Sequence, residues 1–160
     1  SWSQVHSFGL AFFIISLIMF GIFGSLKLGL VAILPNTFPM LTVFGLMGWL
    51  EFNLDITTLM TAPIIIGIAV DDTIHFITHY RLSLLKGASI SEAIHSTLHE
   101  VGQAIIFTTL ILMSIFLFFI PVSHVGVSRF SILAVIAVFS ALLADLFLLP
   151  ALCRVLRVRV

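Results

Sequence analysis

Two adjacent acids, Asp71 and Asp72, stand inside the run Ala62-Pro63-Ile64-Ile65-Ile66-Gly67-Ile68-Ala69-Val70-Asp71-Asp72-Thr73-Ile74-His75-Phe76, which is otherwise hydrocarbon. A carboxylate at the centre of a bilayer-spanning helix costs about 3 kcal/mol on insertion scales, so such a pair marks a functional site by default. The chemistry two such groups can do is proton loading. Close together in a low dielectric they cannot both stay ionised cheaply, so they exchange a proton with their surroundings as one coupled unit. On a helix Gly67, Asp71, His75 and His79 recur every four residues and share a face, and His75 also lies three residues from Asp72. Histidine titrates near neutrality, so His75 and His79 are candidates to pass the proton onward. Asp71 sits about eight residues from the end of its run near Tyr80, roughly 12 to 14 Å at 1.5 Å per residue. Asp145 lies at a similar depth in the last apolar run, and Thr108 and Thr109 supply hydroxyls at a comparable level. Together they outline a candidate polar pathway. Asp71 and Asp72 point about 100° apart on a helix, so at least one must face other helices rather than lipid.

The elements that position these groups follow from composition. At 61% hydrophobic and 9% charged residues, with a mean hydropathy of +1.28, the chain is an integral membrane protein. Seven acids balance seven bases, which leaves no basic stripe for nucleic-acid binding. The single cysteine, Cys153, excludes an internal disulfide and a cysteine metal cluster. The chain opens Ser1-Trp2-Ser3 with neither methionine nor a charged leader, and is expected to be a piece of something longer.

Five stretches reach the roughly 20 apolar residues that a membrane helix needs: about 5–24, 30–50, 56–79, 103–120 and 128–152. Their hydrophobicity is continuous rather than alternating, so they read as helices and not as strands of a barrel. Pro35 and Pro39 are expected in the opening turns of the second span. With the N-terminus outside, Lys27, Arg81, Lys86, Arg154, Arg157 and Arg159 all fall on the inner side; Arg129 alone lies outside, where Glu51 and Asp55 occupy a loop. This asymmetry predicts an N-out, C-in arrangement. Between the third and fourth spans, Ser89 and Glu92 have capping-box spacing, and Ile90, Ile94, Leu98 and Val101 form an apolar stripe opposite His95, His99 and Glu100. The stretch is expected to form a short amphipathic connector helix in the inner interface. Gly67, like Gly21, Gly24, Gly45 and Gly48, is expected at a helix-packing position. The predicted fold class is an all-α, five-helix membrane bundle.

Gly67 to Phe76, followed by Tyr80-Arg81, Ser91-Glu92-Ala93, Ala144-Asp145-Leu146 and Leu149-Pro150-Ala151-Leu152, resembles the resistance-nodulation-division (RND) superfamily, nearest its MMPL-type and sterol-sensing-like exporters. The likeness covers essentially the whole chain. It implies the last five helices of an RND half, the second half being suggested by the terminal arginines, in a multi-pass protein of the bacterial inner membrane. It also implies export of hydrophobic or lipid-like molecules driven by the proton-motive force, with Asp71 and Asp72 as the relay acids. The partners so implied are protons, membrane lipid, a hydrophobic substrate, the other half and outer domains of the same transporter, and further copies in a homo-oligomer; no cofactor is implied. Three rivals use the same residues. Asp71, His75 and His79 form an i, i+4, i+8 face that could hold a divalent metal. Acids on two spans with Pro150-Ala151-Leu152 suggest an intramembrane aspartyl protease, although no Gly-x-Gly-Asp precedes them. A sterol-sensing-like, lipid-binding domain without transport needs no relay at all.

Overall fold

The computed structural model describes residues 2–51 and 56–157, and among them there is no strand. Five long helices follow one another: α1 (Trp2–Phe23), α2 (Leu26–Trp49), α3 (Ile56–Leu85), α4 (Ile90–Phe119) and α5 (Val125–Leu143). The last continues without a break through a π-helical turn (Ala144–Leu148) into α6 (Leu149–Val155). By length and hydropathy α2, α4 and the combined Val125–Val155 helix can each cross a bilayer. Asp55 and Arg159 lie outside the described residues.

Local chemistry sets the boundaries. Gly24 adopts φ +57 between α1 and α2, a left-handed conformation that glycine takes without a steric penalty. The guanidinium of Arg81 donates to the carbonyl of Phe23 at 3.2 Å, covering one of the orphan acceptors at the end of α1. After α3, Gly87 at φ +92 lets its own N–H reach the Leu84 carbonyl at 3.0 Å and the N–H of Ala88 reach Ser83 at 3.2 Å. These two bonds form the Schellman arrangement that stops a helix. Two residues later Ser89 opens α4 with the anticipated capping box: the Glu92 N–H donates to Ser89 Oγ at 3.3 Å and the Ser89 N–H to Glu92 Oε2 at 2.8 Å.

Three expectations need correction. The amphipathic stretch is helical, but it is the first three turns of α4 and not a separate surface helix. Nothing between Val101 and Gln103 breaks it, because Gly102 is buried against Leu146 and helix-compatible. Pro35 and Pro39 sit well inside α2 rather than in its opening turns, since that helix starts at Leu26. Asn36 Nδ2, Thr37 Oγ1 and Thr42 Oγ1 donate to the carbonyls of Ala32, Ile33 and Phe38 along the same stretch, the kind of side-chain support that makes proline tolerable in membrane helices. Against the other described residues of this chain, the glycines expected at packing positions, Gly67, Gly21, Gly24, Gly45 and Gly48, have open space where a Cβ would go, so none of them is a close contact between these helices. Gly29 takes the packing role instead, because a Cβ there would strike the ring of Phe20 on α1, which would have to move.

Buried apolar side chains form two clusters. One joins Met19 and Phe23 of α1, Leu28, Val31 and Ala32 of α2, Phe76, Ile77 and Tyr80 of α3, Ala93 of α4, and Leu149 and Cys153 of α6. The other joins Val43 and Met47 of α2, Ile65 of α3, and Leu133 and Ala137 of α5. In all of α2, α3 and α5–α6, the residues between the clusters include a buried polar side chain: Asn36, Thr73 and Asp145. The bundle is therefore layered as apolar, polar, apolar.

Candidate functional site

α3 packs on α1, α2, α4 and α5, and the spacing of its side chains gives it two unlike faces. Ile66, Ala69, Thr73, Phe76, Ile77 and Tyr80 are buried, recurring every three or four residues as one helical stripe must. Gly67, Asp71, His75, Thr78 and Leu82 line the outward face. Three members of the sequence-derived face, Gly67, Asp71 and His75, thus stay together. His75 Nε2 lies 3.6 Å from Asp71 Oδ1, with the two side chains 70% and 74% exposed. Asp72 sits at the border, half-buried, where α3 meets α4. A shallow groove of about 330 Å³ there is lined by Ile68, Asp71, Asp72, Thr108, Ile111 and Leu112.

His79 has turned off that face. Half-buried, its Nε2 lies 3.0 Å from Glu100 Oε2 and its Nδ1 3.1 Å from Thr97 Oγ1, both on α4. The Thr97 hydroxyl donates its own hydrogen to the Ala93 carbonyl at 2.7 Å, so it can only accept from the ring. The result is a polar tie between α3 and the start of α4, below the acids. The two threonines of α4 also separate. Thr108 is exposed and lines the acid groove, its hydroxyl donating to the carbonyls of Ile105 and Ala104 at 3.0 and 3.2 Å. Thr109 is buried inside the bundle.

Asp145 is the most buried acid of the site, at 1% exposure. Its Oδ1 accepts the Thr73 hydroxyl of α3 at 2.8 Å. Thr73 Oγ1 also lies 3.4 Å from Asn36 Oδ1, a weak contact because the single hydroxyl hydrogen is already committed to Asp145. Asn36 in turn donates to the Ala32 carbonyl at 2.8 Å and approaches the Met19 sulfur at 4.0 Å. The other carboxyl oxygen of Asp145, Oδ2, is buried without a hydrogen-bond partner among the described residues, an arrangement that native structures rarely leave unused. Asp72 is near enough to Asp145, and to Asp71 and His75, for their charges to interact. Asp72 therefore stands between the exposed Asp71–His75 pair and the buried Asp145.

The π-turn has a local cause. Pro150 has no N–H to give to the carbonyl of Leu146, and its ring would crowd that carbonyl in a regular α-turn. The chain widens by one residue instead, with the Leu149 N–H reaching back five residues to Ala144. Asp145 lies inside this turn. Asn36 was absent from the sequence-derived site, although a lone amide in an apolar run, Leu34-Pro35-Asn36, was the signal for it. Thr73 was read only as part of the acid motif. Among the described residues no three His, Cys, Asp or Glu side chains cluster closely enough to hold a metal ion, because His79 points to α4 and away from His75 and Asp71.

Known proteins place this geometry in context. The profile of the AcrB/AcrD/AcrF family matches residues 3–158. The hopanoid transporter HpnN of Burkholderia multivorans is 30% identical over 102 residues, covering 64% of this chain and 12% of that protein. The solvent-resistant pump membrane transporter SrpB of Pseudomonas putida is 26% identical over 158 residues, covering 94% of this chain and 15% of that protein. The chain thus spans less than a sixth of the length of either relative. Among solved structures, SecDF, a translocon-associated membrane protein of Thermus thermophilus, superposes with a TM-score of 0.89 at 20% identity, over 99% of this chain and 22% of that one; at that identity the likeness is one of fold.

Proposed function

The chain belongs to the AcrB/AcrD/AcrF family of RND transporters, and from that premise we propose that it is the transmembrane half-domain of a proton-motive-force-driven exporter of hydrophobic or lipid-like molecules. The observation that carries the reading is the coupling of two elements through acids: Asp145 is buried and held by Thr73, on the same helix that presents Asp71 and Asp72. Proton occupancy at Asp72 changes the charge felt by Asp145, and the Thr73 bond joins α3 to α5–α6 directly. The named relatives, a hopanoid transporter and a solvent-resistant pump, support a hydrophobic substrate. Bacterial inner-membrane placement, with the basic ends of the helices in the cytoplasm, belongs to the same proposal.

The outward stripe of Gly67, Asp71 and His75 is polar surface at membrane depth, where such groups face protein or water and not lipid. In this reading the other half of the transporter covers it, within a homo-oligomer. The test is the double substitution Asp71→Asn, Asp72→Asn in the full-length protein, reconstituted in vesicles with an imposed pH gradient. Both proton uptake, read by an internal pH dye, and export of a lipophilic fluorescent dye should fall to background while membrane abundance stays near wild type. Wild-type proton flux in the double variant would remove the relay, and would favour a lipid-binding domain without transport.

A further inference from the structure

A second groove, sharing no lining residue with the acid site, lies between α2 and the continuous α5–α6 helix. It is open, about 520 Å³ in volume, and lined by Phe38, Leu143, Ala144, Phe147, Leu148 and Ala151. All six are apolar, and the volume is that of an ordinary small-ligand site. The two walls run to the same end of the bundle and both finish in a cation. On α2, Lys27 precedes Phe38 by eleven residues, about three turns, and therefore lies on the same face; Leu30 and Leu34, between them, are exposed along it. On the opposite wall Arg154 follows Ala151 by three residues and Phe147 by seven, again one face, and Arg157 is exposed a turn further on. Lys27, Arg154 and Arg157 make no ion pair with an acid among the described residues.

We infer that this groove binds one phospholipid with an anionic headgroup, its acyl chain against Phe38, Phe147 and Ala151 and its phosphate between Lys27 and Arg154. The argument is charge complementarity joined to an apolar slot. In a bilayer a hydrocarbon groove is filled by a chain, which alone gives no selectivity. Cations at headgroup level on both walls turn it into a site for a negative lipid, as basic clusters between helices do at the cytoplasmic surface. Arg154 supplies a planar donor fork suited to a phosphate, and Lys27 a compact charge opposite. The small side chains of Ala144 and Ala151 leave the floor of the groove low, and Phe38 and Phe147 form its rims. The site does not depend on the relay.

The experiment uses the full-length protein in lipid nanodiscs with a diazirine-bearing acyl chain on either phosphatidylglycerol or phosphatidylcholine, followed by peptide mapping of the label. The phosphatidylglycerol probe should label segments around Phe38 and 143–151, and competition with unlabelled lipid should show selectivity over phosphatidylcholine. Lys27→Gln with Arg154→Gln should weaken phosphatidylglycerol binding roughly 30-fold, about fivefold for each cation removed. The charge-keeping pair Lys27→Arg, Arg154→Lys should retain it within about twofold, which controls for misfolding. Ala151→Trp, which fills the slot and leaves both cations, should remove label from 143–151. Equal labelling by the two lipids, or undiminished binding in the Gln pair, overturns the inference. So does a groove that takes no lipid label because another segment of the protein or a second copy crosslinks there.

Discussion

Thr73 and Asp71 are two residues apart on α3, and the helix sends them to opposite surroundings. Thr73 enters a buried layer with Asn36 and Asp145, where each polar group has a neighbour from another helix of the same chain. Asp71 stands on the outward face, with His75 of its own helix 3.6 Å away. The buried layer is nearly complete in itself, with Asp145 Oδ2 left without a partner among the described residues. The exposed pair of Asp71 and His75 joins two turns of one helix. The inner group ties α3 to α5–α6, whereas the exposed pair ties no two helices, and the two should respond differently to mutation.

The most damaging test of that division is Asp145→Asn in the full-length transporter. An amide oxygen still accepts from Thr73, so thermal stability should shift by no more than about 1 kcal/mol, while proton-coupled transport falls to background. Wild-type transport would reduce the buried layer to a structural anchor. Next in size is Thr73→Val, which removes the one side chain that donates to Asp145 Oδ1 among the described residues. A stability loss of about 1–3 kcal/mol is expected, measured as a lowered midpoint in detergent unfolding; no loss would mean that α3 and α5–α6 do not depend on that bond. His79→Ala breaks the tie to Glu100 and Thr97, partly exposed to the surroundings. It should cost about 1 kcal/mol or less and leave proton flux within about twofold, whereas abolished flux would make His79 part of the relay after all. Smallest is Gly67→Ala. With open space at that position, alanine should stabilise the helix by about 0.5–1 kcal/mol. If transport nevertheless fails while stability rises, a surface from outside this chain packs closely on Gly67.

The sequence carried the membrane class, the acids, the capping box at Ser89 and the common level of Asp145 with the α3 acids, because each rests on composition or on spacing along one helix. It could not tell which side of α3 is inside. Ile64, Ile65, Ile66, Ile68 and Val70 surround the acids on every face, so hydrophobicity offers no contrast to fix the rotation. For the same reason the outward glycines looked identical to Gly29, whose role depends on the ring of Phe20 across the turn. The amphipathic stretch merges with the fourth span because a polar-faced helix continues smoothly into an apolar one when no breaker intervenes, and neither half of the pattern announces the other. The π-turn follows from Pro150 only once the helix is known to run past it.

The two apolar clusters differ in how many helices they hold. The one beside the basic ends ties α1, α2, α3, α4 and α6 together, and the one nearer the opposite end draws on α2, α3 and α5. α4 is therefore anchored at its beginning, through Ala93, and held far along its length by the edge-to-face contact of Phe116 with Phe130, 5.8 Å between centroids. Lipid shields the apolar stretch of α4 from water whatever its packing, so the anchoring is legible where the helix begins: Ala93→Gly should speed amide exchange in the turns from Ile90 to Val101, and unchanged exchange there would mean that the capping box of Ser89 and Glu92 alone holds the start of α4.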